Sequence, residues 1–302
     1  MNIQNLIRSL LVFLFVSCVS ISEKDIPLTD DTPTSVLDLP NSRIAYYQKG
    51  KGPHMILLHA AGHDHHDFDS ISNELSKSYT VTSIDWPGHG KSEWKENAKI
   101  SSIGYPEILK EICGRLKIQN PIILGNSVGG YAAMKLSIEN PDLTKALILV
   151  DTGGMNELDI FSTSFIKLKS KEWFTSLVWN QFPRFYIKQE NEYTHHILKR
   201  IERSKDKEGS IQNNSAIWAS FLEKDYNLRE DVAKIQVPVL IIWGKDDPVI
   251  ERKFGQELHG RVKQSEYVEL PVGHIPFAES PDEFNQILSS FLKKNLASSK
   301  KT

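Results

Sequence analysis

Several stretches of this chain are apolar almost without interruption: 54–60 (HMILLHA), 79–85 (YTVTSID), 121–126 (PIILGN), 145–151 (KALILVD) and 237–244 (VPVLIIWG), with 265–271 (SEYVELP) a more amphipathic version. Short continuous runs of this kind predict strands buried on both faces. Between them lie segments with apolar residues at helical spacing, at Phe68–Lys77, Ile103–Leu116, Gly129–Glu139 and Glu251–Leu258. A last helix is predicted over Pro281–Asn295, with Ser280 as its N-cap, Pro at the first helical position and acids in the first turn. Strands alternating with helices predict an α/β architecture, a parallel sheet covered on both faces. Ahead of these, SVLDLPNSRIAYYQKGKGP reads as two short strands around a Pro-Asn turn.

One segment breaks the alternation. Residues 152–232 contain no apolar strand, and Trp173, Phe174, Trp179, Phe182, Phe185, Tyr186, Trp218 and Phe221 gather there. Helices interrupted by Pro183 and by SKDKEGS are expected, inserted between two strands of one sheet. The chain therefore divides into an N-terminal leader (1–20), a polar linker (21–35), a first core part (36–151), the helical insertion (152–232) and a second core part (233–297).

Composition narrows the function classes. A net charge of −2 with Lys and Arg spread among acids leaves no footprint for nucleic acid. The leader, MNIQNLIRSLLVFLFVSCVS, has one positive charge before an apolar run too short to span a bilayer. It reads as a secretory signal, so export is expected, to the periplasm, the medium or a membrane surface. Phe15-Val16-Ser17-Cys18 resembles a relaxed bacterial lipobox, in which Cys18 would carry a lipid and anchor the protein. The other cysteine, Cys113, falls in a helical stretch and is read as a buried structural thiol. With so few cysteines, packing must supply stability in place of disulfides.

The candidate chemistry begins at GNSVGG. Gly125, Ser127 and Gly129 match G-x-S-x-G between a buried-type strand and a helix, the context in which a sharp turn exposes a serine hydroxyl. A serine needs a base, and His274, in LPVGHIPFAESP, follows a strand on the edge where parallel sheets place their sites. The base needs a carboxylate to hold its tautomer. Asp247 in WGKDDPVI is selected, with Asp246 the close rival and Asp151 a third candidate. The chain order Ser, Asp, His accompanies this motif.

Together LLHAAGHD, SIDWPGHGKS, GNSVGG, LIIWGKDDPVI and PVGHIPFAESPDEF, in that order, resemble the α/β-hydrolase superfamily over residues 36–295. The resemblance implies a mostly parallel sheet with a helical cap at 152–232, and a serine hydrolase of the esterase, lipase-like or carbon–carbon bond hydrolase branches. It implies no cofactor, and a small ester as substrate. In the family the loop after the third strand begins His-Gly and supplies a backbone N–H to the oxyanion hole. Here His59-Ala60 stands there, so Ala61 and Val128 are the expected N–H donors, although Gly tolerates loop conformations that Ala does not. Within HAAGHDHHDF, Phe68 stands where a metallo-β-lactamase pattern needs a histidine, so His63, His65 and His66 are read as a polar rim beside the site, with exposed imidazoles. His89, in a tight turn, is read as structural.

Overall fold

The computed structural model describes residues 32–155 and 157–296. The leader and Cys18 lie outside the described residues. Nine strands form one sheet: β1 (Ser35–Asp38), β2 (Ser42–Lys49), β3 (His54–Leu58), β4 (Thr80–Ile84), β5 (Glu93–Trp94), β6 (Ile122–Asn126), β7 (Ala146–Val150), β8 (Val239–Gly244) and β9 (Ser265–Leu270). Their order is β1-β2-β4-β3-β6-β7-β8-β9, with β5 on β2. Strands β1 and β2 pair antiparallel, and from β4 to β9 every pair is parallel.

Each central strand buries both of its faces, because alternate residues point to opposite sides. Ile56 and Leu58 join one core with Ile123, Leu147, Leu149 and Ile241, under the helices Tyr105–Arg115, Val128–Glu139 and Arg252–Arg261. Met55 and Leu57 join the other with Leu124, Ile148, Val150 and Ile242, under Asp69–Leu75 and Pro281–Leu296. A helix at Pro276–Glu279, absent from the sequence expectation, precedes the last one. Ser280 ends it and also offers its carbonyl to the Phe284 N–H, the first bond of the next helix.

Between β7 and β8 the chain leaves the sheet and forms helices Ile160–Lys169, Glu172–Leu177, Gln181–Tyr186, Glu192–Ser204 and Ser210–Ser220. Contrary to the expectation that it interrupts the helices, Pro183 lies in the first turn of Gln181–Tyr186, where its missing N–H has no intrahelical role. Among the described residues no helix is long and apolar enough to cross a membrane.

Candidate active site

The parallel strands end on one edge, and the chemistry-bearing residues follow those ends. Ser127 comes directly after β6 with φ 54 and ψ −116, and the helix Val128–Glu139 starts at the next residue. A non-glycine residue held at positive φ stores roughly 1–3 kcal/mol of strain. The turn is over-determined by its surroundings. The Ser127 N–H donates to Val150 O at 3.0 Å, and its carbonyl accepts from Gly153 N at 2.9 Å. The flanking glycines are required by close approach. A Cβ at Gly125 would stand 2.5 Å from the Gly129 carbonyl, and one at Gly129 would stand 2.4 Å from Leu58 O.

His274 lies past β9. Its Nδ1–H donates to Asp247 Oδ2 at 2.7 Å, so Nε2 is left as the ring's acceptor. The other Asp247 oxygen accepts from Val249 N at 2.8 Å. Of the two neighbouring aspartates only Asp247 is buried, whereas Asp246 is exposed. Asn126 Nδ2 bridges Val150 O at 3.0 Å and His274 O at 3.1 Å, tying the residue before the serine to the histidine's backbone. Asp151 is buried behind this pair with φ 42, and its Oδ1 accepts from Gly244 N. Burial, and next the Asp247 carboxylate, push the Asp151 carboxyl well above the usual range. Ligand atoms of Asp151, Asp247 and His274 lie within 4.8 Å of one another, but Nδ1 and Oδ2 are already bonded directly.

Ala61 sits in the loop after β3, and Val128 opens the helix, where a first-turn N–H has no intrahelical acceptor. Ala60 avoids positive φ; that conformation falls two residues later, at Gly62 with φ 85. The loop is held from below. Gly62 N–H donates to His89 Nε2 at 3.0 Å, and His89 Nδ1 faces Pro87 O at 3.2 Å. Burial lowers the His89 pKa to about 4, which keeps Nε2 unprotonated as an acceptor. His59, fully buried, links Ala60 O to the Trp86 N–H. The turn histidine is structural, and what it supports is this loop.

The histidine cluster corrects the expectation of an exposed rim. His63, His65 and His66 are all buried, and each turns Nδ1 to a carboxylate: Asp67 at 2.8 Å, Asp85 at 2.9 Å and Asp69 at 2.8 Å. Buried imidazoles need such partners. His63 Nε2 also meets the Tyr186 hydroxyl at 2.5 Å, which joins the loop to the inserted helices.

Some residues gained no role from sequence. Tyr186 O accepts the His274 N–H at 3.0 Å, and its ring meets the imidazole edge-on at 5.5 Å. Glu279, buried, accepts from the backbone N–H groups of Gly273, Ile275, Lys188 and Gln189 at 2.7–3.2 Å. One carboxylate thus holds both the His274 loop and the end of the Gln181–Tyr186 helix. Trp179, Phe182, Tyr186 and Trp218 from the insertion face Ala61 and Gly62 across a cavity, with Lys169 and Asn214 on its wall. Trp173 and Phe185 instead face solvent. Cys113 is buried, which pushes its thiol up to about 12.

A family model described as alpha/beta hydrolase fold matches residues 53–281. A 2-hydroxy-6-oxononadienedioate/2-hydroxy-6-oxononatrienedioate hydrolase of Escherichia coli K12 is 24% identical over 263 residues, covering 83% of this chain and 91% of the relative. Among solved structures, a bacterial membrane phospholipase A superposes with TM-score 0.75 at 21% identity, covering 86% of this chain and 85% of that one. The enol-lactonase of Burkholderia xenovorans LB400 gives 0.74 at 20% identity, with 86% and 100% covered. The match to the family model spans both core parts and the insertion between them, and the chain belongs to the alpha/beta hydrolase fold family.

Proposed function

We propose that this protein is a serine hydrolase that cleaves the carboxylic ester of a small to medium lipophilic substrate. The observation that carries the reading is Ser127, a non-glycine residue held at φ 54 between close-packed glycines at the end of β6. His274, bonded through Nδ1 to Asp247, supports it. In the proposed reaction His274 Nε2 takes the Ser127 hydroxyl proton as the oxygen attacks the ester carbonyl. Asp247 holds the ring and stabilises the imidazolium. The N–H groups of Ala61 and Val128 receive the oxyanion, each worth ~3 kcal/mol in the transition state. The imidazolium then protonates the leaving alcohol, and water releases the acyl group by the same steps in reverse. Side chains and backbone supply every group the steps need, so the proposal includes no cofactor. The aromatic wall of Trp179, Phe182 and Trp218 suits apolar substrate groups.

A second reading, hydrolysis of a carbon–carbon bond, is favoured by likeness to the Escherichia coli 2-hydroxy-6-oxononadienedioate/2-hydroxy-6-oxononatrienedioate hydrolase at 24% identity. Hydrolysis of 4-nitrophenyl esters from acetate to palmitate, wild type beside Ser127→Ala, separates the readings. Ester turnover should fall at least ~1000-fold in the variant. No turnover by the wild type on any ester would overturn the ester reading and leave the second.

The same proposal places the protein outside the cytoplasm, processed within residues 1–20 and either lipid-anchored at Cys18 or secreted. Intact-mass analysis of the mature protein tests this. A mature chain beginning at acylated Cys18 would show the anchor, one cut within the leader and carrying no lipid would show secretion, and one retaining Met1 would refute export by this leader.

A further inference from the structure

We propose that Lys169 selects the substrate, its ammonium group reading a carboxylate carried a few bonds from the scissile carbonyl. The inference rests on the ester hydrolase proposed above and names its substrate class.

Lys169 ends the helix Ile160–Lys169 and is only 3% exposed, yet it lines the cavity that faces Ala61 and Gly62. Its Nζ donates to Asn214 Oδ1 at 3.3 Å and stands 5.3 Å from the Phe182 ring centre and 5.7 Å from that of Trp218. Among the described residues no carboxylate pairs with it. A buried cation without an anion is unfavourable, and an apolar side chain of that length would fill the same space without the penalty. Burial lowers its pKa to about 7, so the amine is poised to gain full charge when an anion arrives.

Position decides what the anion belongs to. Asn214 offers its oxygen to Lys169, while its nitrogen lies 2.8 Å from where a Cβ on Gly62 would be. A single amide therefore separates the ammonium group from the loop that receives the carbonyl. The remaining wall, Trp179, Phe182, Tyr186 and Trp218 with Pro183 and Ile201, is largely apolar and suits the short apolar span between the two polar ends. A half-ester of a dicarboxylic acid fits, as does an ester whose alcohol part bears the carboxylate. Either is consumed by ordinary hydrolysis: the acyl C–O bond breaks, the hydroxyl of water goes to the acyl carbon, and its proton goes to the leaving oxygen.

The test compares charged and neutral esters of matched length. Mono-4-nitrophenyl adipate against 4-nitrophenyl hexanoate probes the acyl side, and 4-acetoxybenzoate against its methyl ester probes the alcohol side. Wild type should favour the charged member of one pair by about 10- to 100-fold in kcat/KM, chiefly through KM, as a buried charged hydrogen bond predicts. That ratio should collapse towards one in Lys169→Met and persist in Lys169→Arg. No preference in either pair, or a preference that survives in Lys169→Met, overturns the proposal. If wild type cleaves none of the four esters, the ester reading has failed, and calorimetric binding of adipate and benzoate decides the role of the lysine. Binding to Ser127→Ala that is lost in Ser127→Ala/Lys169→Met sustains it; equal binding or none overturns it.

Discussion

His89 Nε2 turns its lone pair to the Gly62 N–H, and burial keeps that lone pair free of a proton. The folded protein lowers the pKa of this ring from 6.5 to about 4, so it favours the neutral form. The stabilisation is complete above pH ~6.5, declines as pH falls towards 4, and is gone below it. Replacement by Gln, which can still accept from Gly62 but does not titrate, removes that dependence. The stability difference between wild type and His89→Gln, from urea melts, should narrow by up to ~3 kcal/mol between pH 7 and pH 4. A constant difference across that range would refute the assignment. Residue identity alone could not foretell such roles. The pairs His63–Asp67 and His66–Asp69, at spacings of four and three, carry a local hint of mutual bonding. Whether the pairs face water or protein depends on Tyr186 and the helices above them. Lys169, in the run KLKSK, reads locally as a solvated helix end. Only the packing of the inserted helices buries it.

At the level of elements, legibility follows how local the cause is. Mostly apolar runs marked β3, β6, β7 and β8 because burial on both faces favours apolar residues along the whole strand, and β4, TVTSI, keeps the pattern with small β-branched and hydroxyl side chains. GNSVGG marked the turn at Ser127 because close backbone approach demands glycine on both sides. The four-residue helix Pro276–Glu279 has no comparable pattern; it exists to aim Glu279 at four backbone donors. Glu279→Gln replaces one accepting oxygen with a donor and sets it against N–H groups, an expected loss of ~2–4 kcal/mol. Thermal melts should show Tm falling by roughly 5 °C or more, and ester turnover should fall further than the melt alone explains, since the His274 loop loses its anchor. A variant with unchanged Tm would show that the carboxylate does not hold this junction.

Across the whole molecule, the insertion divides the candidate site along the chain. Ser127 precedes it, whereas Asp247 and His274 follow it, and their arrangement depends on β8 pairing onto β7 and β9 onto β8. That dependence is non-local, which explains why the motifs were legible one by one while the packing between them was not. It also bears on the time before folding is complete. In the proposed reaction Ser127 needs His274, which follows it by more than a hundred residues, so a chain still being synthesised carries the proposed nucleophile before the proposed base. On that reaction, ester cleavage waits until β8 and β9 have joined the sheet. Until then the proposed reaction leaves any ester around the growing polypeptide intact.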